Sequence, residues 1–309
     1  MRDVGVIIPV GADVKAFASS ADALGFDYLG CGEHLFFHAP TYNAFVALSV
    51  AAGVTTRIRL ASTICLLPLY LPELVAKMTT ELDRLSGGRF TLGVGVGGES
   101  PVEFAAAGVP LGERGPRADR DLVTVDALLR GESREYRDEC NETYEGRLLP
   151  LPAQHPRPPI WVAGRRRAAM RRAARYGDGW LPYVYTASQL QTGVEELRAI
   201  ASQDGRDWQG TVSVLVFVAV HEDPDVAHRI GVDTMREWYG DAFEAVGLRY
   251  LVYGDPETCA RKIEEYYDAG ADLVFLSPVS HPDDSLETLT LLGQKVLPLI
   301  RTETDGETV

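Results

Sequence analysis

Short apolar runs rich in β-branched residues alternate along this chain with longer stretches whose apolar positions recur at helical spacing. Residues 4–9 (VGVIIP) read as a first strand, and Asp13 stands where a side chain can cap a helix running to Leu24. Residues 27–31 (DYLGC) read as a second strand, followed by polar and aromatic residues and a helix from about Asn43. A third, residues 58–65 (IRLASTIC), leads to Pro72, whose missing N–H suits the first turn of the next helix. The fourth, residues 90–96, is glycine-rich and precedes a helix through Arg117 to Leu129. The rhythm resumes at residues 160–163, with a helix to Tyr176, a strand at 179–182 and a helix from Ser188 to Ser202. Residues 212–220 give the longest strand signal. Asp255-Pro256 then opens a helix, 273–277 is the eighth strand, and 286–300 closes the series.

Strands covered by helices on their outer side read as continuous apolar runs, as these do. Eight such units in 309 residues predict an α/β chain folded as a closed (β/α)8 TIM barrel. Two stretches break the rhythm and are expected as insertions after strands 4 and 7. Residues 131–159 carry charge, aromatics and the prolines 150, 152, 156, 158 and 159, and a second excursion runs from 221 to about Tyr253. The expected organisation is one barrel domain over residues 1–301, with 302–309 as an acidic, frayed tail.

The chain is 46% hydrophobic and 24% charged, which places it among globular proteins rather than disordered or fibrous ones. Its formal charge of −14 repels nucleic-acid phosphate and anionic membrane, so neither is expected as a partner. No apolar run is long enough to span a bilayer, and the strand pattern begins at Val4, leaving no room for a signal peptide. Cys31, Cys65, Cys140 and Cys259 are scattered without a CxxC pair, so reduced thiols and a cytoplasmic location are expected.

A barrel of this kind carries its site on the loops after the strands, and several candidates fall there. Glu33 and His34 end the second strand, where an imidazole can give or take a proton near neutral pH. His34 and His38 share the i, i+4 spacing of a helical metal pair, but the glutamate precedes the first histidine, and no metal is assigned. The run Gly93-Val-Gly95-Val-Gly97-Gly98 matches GxGxxG, with Asp119 where a ribose-binding acid would stand. It follows three earlier β/α units instead of opening the chain, so glycines admitting a flat ligand are the preferred reading, with Glu99 beside them. Gly164-Arg165-Arg166-Arg167 opens a helix that adds Arg171, Arg172 and Arg175. Free N–H groups and positive charge at such an end suit phosphate, with a solvated basic face as the alternative for the last three. Phe36, Phe37, Tyr183 and Tyr185 are candidates to line a substrate pocket. Cys65 reads equally as a small core residue, and His155, His221 and His228 as surface. No GxSxG, GxxxxGK[ST] or HExxH occurs, leaving hydrolase and P-loop chemistry without a motif.

Residues 82–95 (LDRLSGGRFTLGVG) resemble a hallmark of the bacterial luciferase-like monooxygenase superfamily. Other blocks match in the same order over roughly residues 4–301. These are Glu33-His34, then Glu103 and Gly108 with Arg114 and Arg117, then PPIWVAG at 158–164, AARYGDGW at 173–180, GDPE at 254–257 and AGAD at 269–272. The resemblance implies a TIM barrel, commonly dimeric, with a flavin-type cofactor across the C-terminal ends of the strands. That cofactor is either FMN, for oxygen insertion, or the deazaflavin coenzyme F420, for hydride transfer. It places His34 at the reactive face with Glu33 nearby, and Gly164 with Arg165 and Arg166 on the phosphate. Gly97, Gly98 and Glu99 would lie beside the cofactor, and a bulge with a non-proline cis peptide would fall at Thr63-Ile64. Three arginines follow Gly164 where the family often has a further glycine or a serine, and Arg120 replaces a common acidic residue.

Extra positive charge on an acidic chain suits the longer polyanion, so F420 is preferred over FMN. The expected function is hydride transfer between F420 and a small organic substrate, with His34 as proton donor or acceptor. The alternatives are an FMN-dependent monooxygenase fed by a flavin reductase and a non-catalytic cofactor-binding protein.

Overall fold

Helix α1 (Val14–Leu24) starts where the Asp13 carboxylate accepts from the N–H groups of Lys15 and Ala16, and it stops at Gly25, whose φ of 93° only glycine adopts cheaply. It buries Phe17, Ala18 and Ala21 and returns the chain so that β2 (Tyr28–Cys31) lies parallel to β1 (Asp3–Ile7). The computed structural model, which describes residues 2–37, 40–239 and 247–302, repeats that unit around a closed sheet. The later strands are β3 (Arg59–Ser62), its short continuation β4 (Cys65–Leu66), β5 (Phe90–Gly95), β6 (Arg134–Arg137), β7 (Thr143–Gly146), β8 (Ile160–Ala163), β9 (Gly179–Leu181), β10 (Thr211–Val220), β11 (Leu251–Gly254) and β12 (Leu273–Pro278).

Eight of these form the barrel in the order β1-β2-β3-β5-β8-β9-β10-β12, all parallel. Pairing of β12 with β1, from Asp3↔Leu273 to Val6↔Leu276, and of β9 with β10, at Thr211↔Gly179 and Val212↔Trp180, closes it. Inside, Tyr28, Trp161 and Phe275 pack edge-to-face or tilted, 5.4 to 6.2 Å between centroids, with Ile7, Ala61, Leu181 and Leu273 around them. This plug fills the lower barrel and leaves room only above it. A closed sheet has no point at which strand order reverses, so the GxGxxG run does not form a dinucleotide crevice.

The eight barrel strands coincide with the eight sequence-predicted ones. Both insertions hold more structure than the sequence suggests. Residues 131–159 contain the antiparallel hairpin β6-β7 and are tied down by the buried Asp83. Its carboxylate accepts from the N–H groups of Ala153 and Gln154 and from the Gln154 side chain, at 2.6 to 2.9 Å. The second excursion carries helix α8 (Pro224–Tyr239) and then β11, which continues the sheet beside the upper half of β10, from Phe217↔Leu251 to Val220↔Gly254. Four residues running straight into a helix give too little periodicity to read as a strand. His38 and residues 303–309 lie outside the described residues. Among those described, no helix is long and apolar enough to cross a membrane.

In the segment that carries the resemblance, the turn from Ser86 to Arg89 precedes the N-terminal end of β5, remote from the loops where a barrel places its site, while Gly95 stands at the other end of the strand and lines the cavity there. Helix α3 (Pro72–Leu85) ends in Ser86, Gly87 and Gly88, the glycines at φ of 70° and 83°. Arg89 then donates to the carbonyls of Ser86 and Ile58 at 2.6 Å, to that of Thr55 at 3.0 Å and to the Thr55 hydroxyl at 3.0 Å. One guanidinium thereby closes helix α2 (Ala44–Val54) and fixes the start of β3. Removing it leaves several carbonyls without a donor, so Arg89→Met should lower the unfolding free energy by about 3 kcal/mol in urea denaturation. Ligand affinity of the folded fraction should stay unchanged.

Candidate active site

The C-terminal ends of the barrel strands surround a cavity of about 330 Å³, floored by Ile7, Ile64 and Leu181. Leu66, Leu215, Phe217 and Trp238 make its walls apolar, and His34, Thr63, Glu99, Tyr183 and Ser277 supply polar groups. An apolar cleft with few convergent polar groups is the ordinary form of a small-molecule site.

His34 stands just past β2. Its Nδ1 lies 3.2 Å from both carboxylate oxygens of Glu103, and its Nε2 lies 3.7 Å from Glu99, whose other oxygen accepts from the Tyr183 hydroxyl. Phe37 stacks on the imidazole at 4.1 Å with planes 13° apart. Glu103 belongs to helix α4 (Pro101–Ala106) and is fully buried. It also accepts from the N–H groups of Leu35 at 2.5 Å and Phe36 at 3.2 Å, so one carboxylate holds three consecutive residues after β2.

Glu33 points the other way from its neighbour. Its carboxylate accepts from Leu66 N at 3.0 Å, Ala44 N at 3.1 Å, Asn43 Nδ2 at 3.2 Å and the Tyr70 hydroxyl at 3.1 Å. These donors come from β4, the start of α2 and the turn before α3, so the residue ties three segments together. Burial raises its carboxyl above the ordinary value, against the pull of those hydrogen bonds. Burial and then the Glu33 charge push the Tyr70 hydroxyl and the Cys65 thiol upward as well, which keeps both protonated. Cys65 is a core residue, wholly enclosed.

The glycine run of β5 meets the bulge between β3 and β4. A Cβ at Gly93 would stand 2.0 Å from the Ser62 carbonyl oxygen, and one at Gly95 would stand 2.0 Å from the Ile64 side chain. The run therefore lets β5 and this bulge touch, and the Thr63–Ile64 peptide there is cis. Thr63 Oγ1 is buried in that wall with no hydrogen-bond partner.

The arginine cluster divides. Arg172 is buried, not a solvated face: it pairs with Asp119 at 2.7 Å and donates to the Gly115 carbonyl, which takes up the acid once read against ribose. Arg167 pairs with Glu196 at 2.8 Å, and Arg175 covers the Tyr176 ring. Arg165 lies 5.3 Å from the Tyr183 ring centre and donates to the carbonyl of Val184, a residue held at φ 54°. Arg166 is exposed at the start of helix α6 (Arg167–Tyr176), whose first turn receives no side-chain cap.

Of the sequence-derived candidates, Glu33, His34, Phe37, Thr63, Ile64, Gly97, Glu99, Gly164 and Tyr183 line one cavity. Gly98, Arg165 and Arg166 are not in its lining. Phe36 is half exposed, because its N–H is held by Glu103 while the ring faces outward. Tyr185 does not reach the cavity either: its hydroxyl donates to the Arg165 carbonyl and its ring packs edge-on to Trp180. Sequence reasoning gave no role to Glu103, Tyr70, Asn43 or Trp238. Glu103 did carry a signal as a charged residue next to Phe104 in an otherwise apolar, short helix, but its partner lies 69 positions away. Among the described residues no three His, Cys, Asp or Glu side chains gather as a metal cage.

Glu33→Gln replaces an oxygen that accepts by an amide that donates, so one buried N–H or O–H loses its partner. The loss should be about 1–3 kcal/mol in mild acid. A carboxyl raised by folding contributes stability below the unfolded glutamate value of 4.5 and loses it as pH rises through the folded value. The gap between wild type and variant, read by thermal melts across pH, should therefore narrow toward neutrality.

A family model described as luciferase-like monooxygenase matches residues 4–273. An uncharacterized protein of Mycobacterium tuberculosis and one of Mycobacterium bovis are each 33% identical over 167 residues. That alignment spans 54% of this chain and only 57% of the relative's length. Among solved structures, a monooxygenase of Streptomyces bottropensis superposes with a TM-score of 0.81 at 24% identity, covering 96% of this chain and 99% of that one. The coenzyme F420-dependent tetrahydromethanopterin reductase of Methanopyrus kandleri gives 0.77 at 20% identity, over 97% and 99%. An F420-dependent secondary alcohol dehydrogenase gives 0.80 at 18%, over 97% and 99%. These structural likenesses establish the shared barrel, and the family match, over most of the chain, establishes descent: the chain belongs to the luciferase-like monooxygenases, a family of flavin- or F420-dependent oxidoreductases and monooxygenases.

Proposed function

We propose that this chain binds coenzyme F420 in the cavity above the barrel plug and transfers a hydride between it and a small organic substrate. The observation that carries the reading is His34: its Nδ1 is anchored to a buried carboxylate, while Nε2 lies beside Glu99 on the cavity side. The coenzyme, when bound, supplies the hydride-carrying ring. Hydride transfer to a carbonyl creates an alkoxide that needs a proton, and the reverse reaction must remove one. His34 is placed to do either through Nε2, which stands on the cavity side.

The residues present fit such a group. Thr63 Oγ1 offers a buried hydroxyl without a partner, and Ile7, Ile64 and Leu66 make the wall around it apolar. The uncapped start of α6 with Arg165 and Arg166 suits phosphate, and the exposed Arg171 extends the positive charge toward a longer anionic tail. Glu33, its oxygens filled by four donors, positions the loop and leaves the proton work to His34.

A second reading, FMN-dependent oxygen insertion with a flavin reductase as partner, is favoured by the apolar lining of Phe37, Leu66, Phe217 and Trp238, since such chemistry needs a site poor in water. The chain is similar in fold to an FMN-bound Baeyer-Villiger monooxygenase as well as to the F420 enzymes. A second copy of this chain is the protein partner that the reading includes, and Val46, Leu71 and Leu74 on α2 and around the start of α3 are among the exposed apolar residues that could meet it.

Titrating the protein with F420 and with FMN, oxidised and reduced, tests the cofactor. Submicromolar F420 binding with weak FMN binding is expected, whereas preference for reduced FMN would replace hydride transfer by oxygen chemistry. His34→Ala should reduce turnover about a hundredfold or more while cofactor affinity changes little. Tight binding without turnover over a broad panel of carbonyl and alcohol substrates would mark a cofactor-binding protein.

A further inference from the structure

Glu103 stands behind the cavity wall, wholly buried, and is not among the residues that line the cavity. A buried carboxylate only accepts hydrogen bonds, so each group turned toward it must donate. Leu35 N and Phe36 N do so, and the remaining neighbour within 3.2 Å is His34 Nδ1. Resting on the proton role given to His34 above, we propose that Glu103 is the positioning residue for that histidine. It holds the neutral ring as the Nδ1–H tautomer and thereby keeps the Nε2 lone pair on the cavity side.

The alternative tautomer would aim the Nδ1 lone pair at a carboxylate oxygen 3.2 Å away, leaving a buried acceptor facing an acceptor. Glu99 cannot compensate. Its oxygen is 3.7 Å from Nε2, beyond hydrogen-bond distance, and the residue is exposed and already engaged by Tyr183. Stacking on Phe37 and the hydrogen bond from the Thr41 hydroxyl to the His34 carbonyl oppose a turn of the ring or of its backbone. The tautomer is thus set by one side chain that does not line the cavity, and Phe37 and Thr41 hold the ring and its backbone in place.

Glu103→Gln separates this role from simple support of the loop. Its single carbonyl oxygen is drawn to the two backbone N–H groups, which places the amide nitrogen against Nδ1. His34 must then accept there and carry its proton on Nε2. The measurement is a multiple-bond proton–nitrogen correlation spectrum of ring-labelled histidine, taken on the apoprotein at a pH where imidazoles are neutral. The His34 signals are identified among the six histidines by their loss in His34→Asn. Wild type should show the Nδ1–H pattern and Glu103→Gln the Nε2–H pattern, with turnover about a hundredfold lower or more and KM little changed.

An Nε2–H pattern in wild type, or a pattern that Glu103→Gln leaves unaltered, overturns the proposal even if activity falls. A reversed tautomer with undiminished turnover upholds the positioning role and removes His34 from the proposed reaction instead. If the variant fails to fold, the wild-type pattern decides by itself.

Discussion

Everything at the upper end of this barrel depends on where two buried carboxylates find their donors. Glu33 cannot enter the interior without hydrogen bonds, and it draws them from β4, from the first turn of α2 and from Tyr70. Glu103 does the same from the opposite side with Leu35, Phe36 and His34. Between them they fix the chain on both sides of His34 where no regular structure does so. Glu33 and His34 are adjacent in sequence yet serve different ends, because the donors for Glu33 come from β4, α2 and Tyr70 while the partner of His34 is Glu103 in α4.

The two ends of the barrel divide the work. At the lower end, Ser86, Gly87, Gly88 and Arg89 join three elements through backbone carbonyls, and the aromatic plug of Tyr28, Trp161 and Phe275 fills the interior. Stability is built there from groups that meet no ligand. The upper end keeps a cavity, a positive-φ valine beside it and a buried hydroxyl with no partner, which are features a protein retains where something must bind. The most recognisable block of the sequence thus reports the lower end of the fold through Ser86 to Arg89 and reaches the cavity only with Gly95, whereas the less distinctive Glu33-His34 pair lies wholly in the cavity lining.

Charge tells the same story at finer scale. Six arginines between positions 165 and 175 read as one basic surface, but the fold spends them separately. Arg172 is buried against Asp119, Arg167 bridges to α7 (Ala187–Gln203) through Glu196, and Arg175 lies on Tyr176. Arg167 and Arg175 remain exposed in these contacts, and Arg165, Arg166 and Arg171 are exposed beside an uncapped helix start with no carboxylate partner among the described residues. In a chain carrying −14, that remainder is what an anionic group would meet.

The sequence by itself determined the eight barrel strands, the helix caps at Asp13 and Asp255, the Pro72 start and the place of His34 at a strand end, since all of these are local. A strand run, a capping side chain or a proline acts within a few residues, and its signal survives in one dimension. β11 escaped because four residues hold too little periodicity. Phe36 and Tyr185 fall outside the cavity lining, since where a loop residue comes to rest depends on distant partners, Glu103 at the Phe36 N–H and the Arg165 carbonyl at the Tyr185 hydroxyl. Only the tertiary structure could bring Glu103 to His34 across 69 positions, because a buried carboxylate chooses its donors by distance in space after the sheet has closed, and nothing in the spacing of the chain records that distance.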